Sequence, residues 1–61
     1  MEKRGGVKIG SHVWIATRAT ILDGVTIGDG AVIGAHSLVR EDVPDKAVVA
    51  GTPARILRTL S

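Results

Sequence analysis

One apolar residue recurs at every sixth position along this chain: Ile9, Ile15, Ile21, Ile27, Ile33 and Val39. A second series sits two residues earlier: Val7, Val13, Ala19, Val25, Ala31, Ser37 and Val43, all small or β-branched. Between them the residues are mostly polar or charged, including Ser11, His12, Thr17, Arg18, Asp23, Asp29, His36 and Glu41. A helix repeats about every 3.6 residues and a strand about every 2. A period of six therefore suits a short strand followed by a tight corner and does not match whole helical turns. The residue after the Ile is often small (Gly10, Ala16, Gly28, Gly34), which leaves room for the chain to bend. Three such segments close a triangular coil. Stacked coils then set Ile9 under Ile27, Ile15 under Ile33 and Ile21 under Val39, separated by the strand spacing of about 4.8 Å. The pattern predicts an all-β parallel β-helix. A small antiparallel sheet does not require a strict six-residue spacing, and these positions do not stay on one face of an amphipathic helix.

Composition limits the alternatives. A chain of 61 residues is one small domain at most, or part of one; residues 1–61 read as a single unit, with repeats over about 7–44 and a closing segment over about 47–60. A domain of this size buries only about 60% of its unfolded surface. There is no Cys, and Trp14 is the lone aromatic residue, so neither disulfides nor a core of large rings is available. With 44% hydrophobic residues, disorder is disfavoured. The net charge of +2 comes from scattered basic residues, apart from Lys3-Arg4 and the pair Arg55 and Arg58. That is no dense basic stripe, and no nucleic-acid partner is expected. No apolar run reaches the roughly 18–20 residues of a membrane span, and the first residues do not lead into a secretory signal. No membrane partner is expected, and the cytoplasm is the expected location. There is no phosphate-binding loop, and Gly28-x-Gly30 lacks the third glycine of a dinucleotide fingerprint. His12 and His36 fall on different faces of the expected coil and are too few for a three-histidine zinc centre, so no metal site is expected.

The run Val13-Trp14-Ile15-Ala16 is similar to the V-W-I-G segment of the hexapeptide-repeat acyltransferases. Residues Gly24-Val25-Thr26-Ile27-Gly28 and Val32-Ile33-Gly34-Ala35 follow the family's G-V-T-I-G and V-I-G-A. Asp42-Val43-Pro44 and Ala50-Gly51-Thr52-Pro53-Ala54-Arg55 resemble its closing D-V-P and A-G-x-P-A-[KR]. The closest subgroup is the sugar and antibiotic O-acetyltransferases of the maltose, galactoside and xenobiotic type. The resemblance implies a left-handed parallel β-helix, here of about two to three coils. The handedness comes from the resemblance alone, since parallel crossovers in general are right-handed in about 98% of cases. It also implies a homotrimer, with acetyl-CoA or coenzyme A held in the groove between neighbouring β-helices, along the last coils.

The six-residue register stops after Val43-Pro44, because the next core position would be Asp45. Pro44 to Lys46 then reads as a loop and Ala47 to Ala50 as a last strand. Thr52 is suited to cap a helix with Pro53 at its first position. A short C-terminal helix over residues 54–60 is expected, with Ile56, Leu57 and Leu60 covering the end of the coil stack. The first coil has no such cover, so trimers are expected to stack through their N-terminal ends.

In the family a histidine deprotonates the acceptor hydroxyl, a task suited to a group that titrates near neutrality. That histidine precedes the V-W-I-G segment by more than one coil, so the resemblance implies a truncated chain without it. His12 and His36 are weak substitutes, since both occupy corner positions that point outward. For the cofactor, the resemblance implies Trp14 as a wall and Thr17 as a hydroxyl contact. It implies backbone contacts at Gly34 and Ala35, a contact at Arg40, and phosphate contacts from Arg55 and Arg58. Three readings follow. The first is the coenzyme-A-binding C-terminal part of an O-acetyltransferase, incomplete as an enzyme. The second is a self-assembling structural module without activity. The third is a minimal enzyme using His12 or His36, or a base supplied by a partner chain.

Overall fold

The computed structural model describes residues 6–60. The strands are short. β1 (Lys8–Ile9), β2 (Trp14–Ile15), β3 (Thr20–Ile21), β4 (Thr26–Ile27), β5 (Val32–Ile33) and β6 (Leu38–Val39) hold two residues each. β7 (Ala47–Gly51) and β8 (Ala54–Thr59) follow. They form three sheets around a common core: a first face β1-β4, a second face β2-β5-β7-β8 and a third face β3-β6. Pairing between successive coils is parallel, with Ile9 beside Ile27, Ile15 beside Ile33 and Ile21 beside Val39. This is the stacking that the six-residue spacing predicts.

Both apolar series point inward. Val25, Ile27, Ala31, Ile33, Val39, Val43, Ala47 and Val49 form the buried core. Fully burying an Ile or Val contributes about 1.5–3 kcal/mol. Ser37, the polar member of the inward series, is buried, and its hydroxyl donates to the Gly34 carbonyl at 2.7 Å. That bond removes the cost of an unsatisfied buried oxygen.

From Gly6 to His36 a left-handed residue stands at a corner every six positions, and Lys46, with φ of 60°, takes that role after the coil shortens. Gly6, Gly24 and Gly30 have φ of 79°, 87° and 71°, and His12, Arg18 and His36 have 59°, 63° and 60°. The corners are further tied by aspartates reaching to the preceding coil. Asp29 Oδ1 accepts from the Ser11 amide at 2.8 Å, Asp45 Oδ1 from the Asp29 amide at 2.9 Å, and Asp42 Oδ1 from the Thr26 amide at 2.9 Å. Gly28 is small because its coil passes against Asp45, whose Cα would lie 2.8 Å from an added Cβ.

The turn of the coil from Ile27 to Val43 is two residues shorter than the turn from Ile9 to Ile27. Val43 bridges to Ile27 and Val49 pairs with Ile33. The chain thereby places Val43 in the core and Asp45 at a corner, where its carboxylate caps a backbone amide.

The expected C-terminal helix is absent. Residues Ala54–Thr59 form β8, antiparallel to β7, and no helix occurs among the described residues. Gly51, with φ of 109°, lies at the reversal, and the Thr52–Pro53 peptide beside it is cis. Two causes favour the strand. A seven-residue helix lies below the length at which nucleation is recovered, and the outer edge of β7 offers unpaired backbone groups that β8 satisfies. Ile56 and Leu57 consequently stay 55% and 64% exposed and do not plug the coil. Nor are all the Ile columns buried. In the first described coil Ile9 is 51% and Ile15 39% exposed, since among the described residues no coil lies on their outer side.

Asp45→Ala is expected to lower stability by about 1 kcal/mol in a denaturant melt, whereas Asp45→Asn keeps the acceptor and most of the stability. Equal losses in both variants would deny the side-chain oxygen its capping role.

Candidate cofactor-binding face

The second face gathers most of the residues singled out from the sequence. Trp14 pairs with Val32, Val32 with Val48, and Val48 with Arg58. Strand alternation turns this row away from the buried Ile33 and Val49. Trp14 is 69% exposed at one end of it. Two positions along, a second outward row runs Ala16, Gly34, Ala50 and Arg55. Ala50 pairs with Arg55, and a Cβ added to Gly34 would meet that of Ala50 at 2.9 Å. The face is therefore a smooth lane of small residues beside an apolar row, and each row ends in an arginine.

The adjoining corner carries the next two candidates. Thr17 lies one coil from Ala35, and the His36 amide donates to the Thr17 carbonyl at 3.0 Å. Both residues are exposed. The Thr52 hydroxyl continues the same corner by donating to the His36 carbonyl at 3.2 Å.

Arg40 stands apart. It follows β6 on the third face and lines a cavity of about 500 Å³ at the C-terminal end of the coil. Val39, Val43 and Val49 border that cavity, with Glu41, Asp42, Arg55 and Ile56. Arg55 thus joins the small-residue lane to the cavity, and Arg40 is brought to the cavity side only.

His12 and His36 sit at different corners, each exposed and each in the left-handed conformation. Histidine is among the residues enriched there, and this geometry accounts for both positions without a chemical task. Among the described residues no group of three or more His, Cys, Asp or Glu is placed to hold a metal ion.

Sequence reasoning missed Ala16 and Ala50 as members of the lane, and Val32 and Val48 as its neighbours. The signal was present in the spacing of Ala16 and Gly34, one coil apart. It failed at Ala50, because the step from the second coil into the third is two residues shorter.

A parallel coil of hexads bearing an outward small-residue lane defines a hexapeptide-repeat protein. Residues 6–41 match the family model "Bacterial transferase hexapeptide (six repeats)", and the chain belongs to that family. It is 50% identical over 54 residues to a chloramphenicol acetyltransferase of Agrobacterium fabrum, covering 88% of this chain and 26% of that protein. It is 47% identical over 55 residues to the galactoside O-acetyltransferase of Escherichia coli, covering 90% of this chain and 27% of that protein. A hexapeptide-repeat acetyltransferase from Vibrio cholerae, solved with acetyl coenzyme A, superposes with a TM-score of 0.88 at 49% identity. That match covers 90% of this chain and 30% of the other. The chain thus spans about a quarter to a third of the length of these relatives.

Gly34→Ala is expected to cost about 1–3 kcal/mol by overpacking against Ala50. Adding Ala50→Gly should recover part of that loss; no recovery in a thermal melt would mean the two positions do not share the lane. His36→Gly should be neutral or stabilising by up to about 1 kcal/mol, since it relieves a left-handed non-glycine.

Proposed function

We propose that this chain is the coenzyme-A-binding, C-terminal part of an acetyl-CoA-dependent O-acetyltransferase. The histidine that activates the acceptor hydroxyl lies outside these residues. The observation that carries the reading is the convergence of Trp14, Gly34, Arg55 and Arg58 on one face, with Thr17 and Ala35 at its edge. The family, and the acetyl coenzyme A held by the Vibrio relative, support it.

Each residue has a physical task. The lane of Ala16, Gly34 and Ala50 lets an extended pantetheine arm approach the backbone, where larger side chains would stand in its way. Trp14 walls the lane on one side. Thr17 offers a hydroxyl and Ala35 its backbone at the corner. Arg55 and Arg58 carry planar guanidinium groups suited to paired hydrogen bonds with phosphate oxygens. Arg40, on the cavity side, reaches only a part of the ligand that passes beyond Arg55. Acetyl-CoA supplies an activated acetyl thioester. Transfer joins that acetyl carbon to an acceptor oxygen, while the hydroxyl proton ends on the departing thiol sulfur.

A groove needs a second wall, and this face supplies one. If copies assemble side by side as a trimer, as the family resemblance implies, the exposed Trp14 row of one copy borders the lane of the next. A structural module without activity is the second reading. The exposed apolar residues of the first coil favour it, because they promote assembly whether or not the cofactor binds.

Calorimetric titration with coenzyme A separates the two readings. Saturable binding is expected, weakened about tenfold by Arg55→Ala or Arg58→Ala, which corresponds to one lost charge-assisted contact. A folded, assembled chain that evolves no heat and retains no ligand on dialysis would leave the structural reading.

A further inference from the structure

We propose that the acceptor is an anion, an alcohol that carries a carboxylate or phosphate, and that Arg18 is the residue that selects it by charge. The inference rests on the cofactor-binding reading of the second face and adds a substrate class to it.

The charges of this chain are sorted by face. The second face and the corner that follows it hold Arg18, His36, Arg55 and Arg58, and no carboxylate among the described residues. The described carboxylates stand elsewhere. Asp29 and Asp45 lie at the corner after the first face, and Asp42 lies beside Thr26 of that face. Asp23 and Glu41 follow the strands of the third face. Asp29, Asp42 and Asp45 are moreover engaged by backbone amides. A surface of one sign concentrates and steers ligands of the other. The lane is therefore bordered by positive charge at both ends, whereas the cofactor carries negative charge at only one.

Arg18 marks the end away from Arg55. The His36 amide donates to the Thr17 carbonyl at 3.0 Å, and the Thr52 hydroxyl donates to the His36 carbonyl at 3.2 Å. Thr17–Arg18, Ala35–His36 and Gly51–Thr52 are thus three levels of one corner, running beside Ala16, Gly34 and Ala50 of the lane. From Ala16 through Gly34 and Ala50 to Arg55 there are three strand spacings, about 14 Å. With the phosphates at Arg55 and Arg58, an extended pantetheine arm runs down the lane and sets its thioester toward the level of Ala16 and Arg18. The arm is neutral from the pyrophosphate to the sulfur, so it offers Arg18 no counter-charge. The reactant that meets the thioester at that end is the acceptor, and a guanidinium pairs well with a carboxylate or phosphate. The backbone does not call for this cation. Arg18 has φ of 63°, and Gly6, Gly24 and Gly30 fill equivalent corner positions, which glycine does without strain.

The test reads binding and needs no turnover. Glucuronate and glucose differ in bearing a carboxylate or a hydroxymethyl group on the same ring. On the chain saturated with coenzyme A, glucuronate should shift the amide resonances of Thr17, Arg18 and His36 saturably, and glucose at the same concentration should not. Arg18→Asn removes the charge and suits a left-handed corner. It should weaken glucuronate about tenfold, as for one lost charge-assisted contact. The same variant should keep coenzyme A affinity within about twofold, the range of a surface substitution. A response to glucuronate no larger than that to glucose, with coenzyme A bound, would overturn the inference alone. So would a loss of coenzyme A affinity in Arg18→Asn as large as that in Arg55→Ala, because Arg18 would then belong to the cofactor. A wild-type chain that binds no coenzyme A would remove the cofactor reading and this inference with it, and that result is seen before any sugar is added.

Discussion

Everything in this molecule depends on one coil lying in register on the next. No strand in the first six is long enough to persist alone, since an isolated hairpin of ordinary length is already marginal. Each is held by its neighbour one coil away and by the inward Ile or Val that the neighbour covers. Ile27 and Ile33 are buried because Ile9 and Ile15 lie beneath them and Val43 and Val49 above. The stability of any rung is thus shared, and the outermost rung is the one left with exposed apolar surface. This is the general behaviour of repeat architectures, in which stability is a sum of units and nearest-neighbour interfaces.

The same register builds the candidate site. A strand one rung up places its outward residues directly over those below, so a small residue repeated at the coil spacing becomes a continuous lane. The lane needs no loop or helix to position it. It ends in arginines because the chain turns back after Gly51 and lays β8 along β7. Had residues 54–60 wound into a helix, Arg55 and Arg58 would not have extended the two rows that begin at Ala16 and Trp14. The hairpin that overturns the expected helix is the element that completes the basic end of the face.

Much of this was legible in the chain. The columns of Ile9 with Ile27, Ile15 with Ile33 and Ile21 with Val39 follow from the six-residue spacing, and so does the inward turn of Val25 and Ala31. The tail was not legible. Ile56, Leu57 and Leu60 have the spacing of one helical face, and Thr52-Pro53 resembles a helix start. Local pattern could not register that β7 would present an unpaired edge at that point. The histidines were ambiguous for a related reason. His12 and His36 share their phase with Gly6, Gly24 and Gly30, but a left-handed φ becomes visible only when the corner is built.

The sequence by itself determined the repeat, the inward residues and the three-sided coil, because a strict spacing of branched apolar residues has one economical solution in strand geometry. It also determined the family, through motifs spread along most of the repeat. Tertiary structure alone decided where the coil shortens before Val43, that Asp29, Asp42 and Asp45 cap amides of the preceding coil, and that the tail is a strand. These features turn on backbone hydrogen bonds between residues far apart in sequence, and a donor's partner is chosen by what the finished stack leaves unpaired.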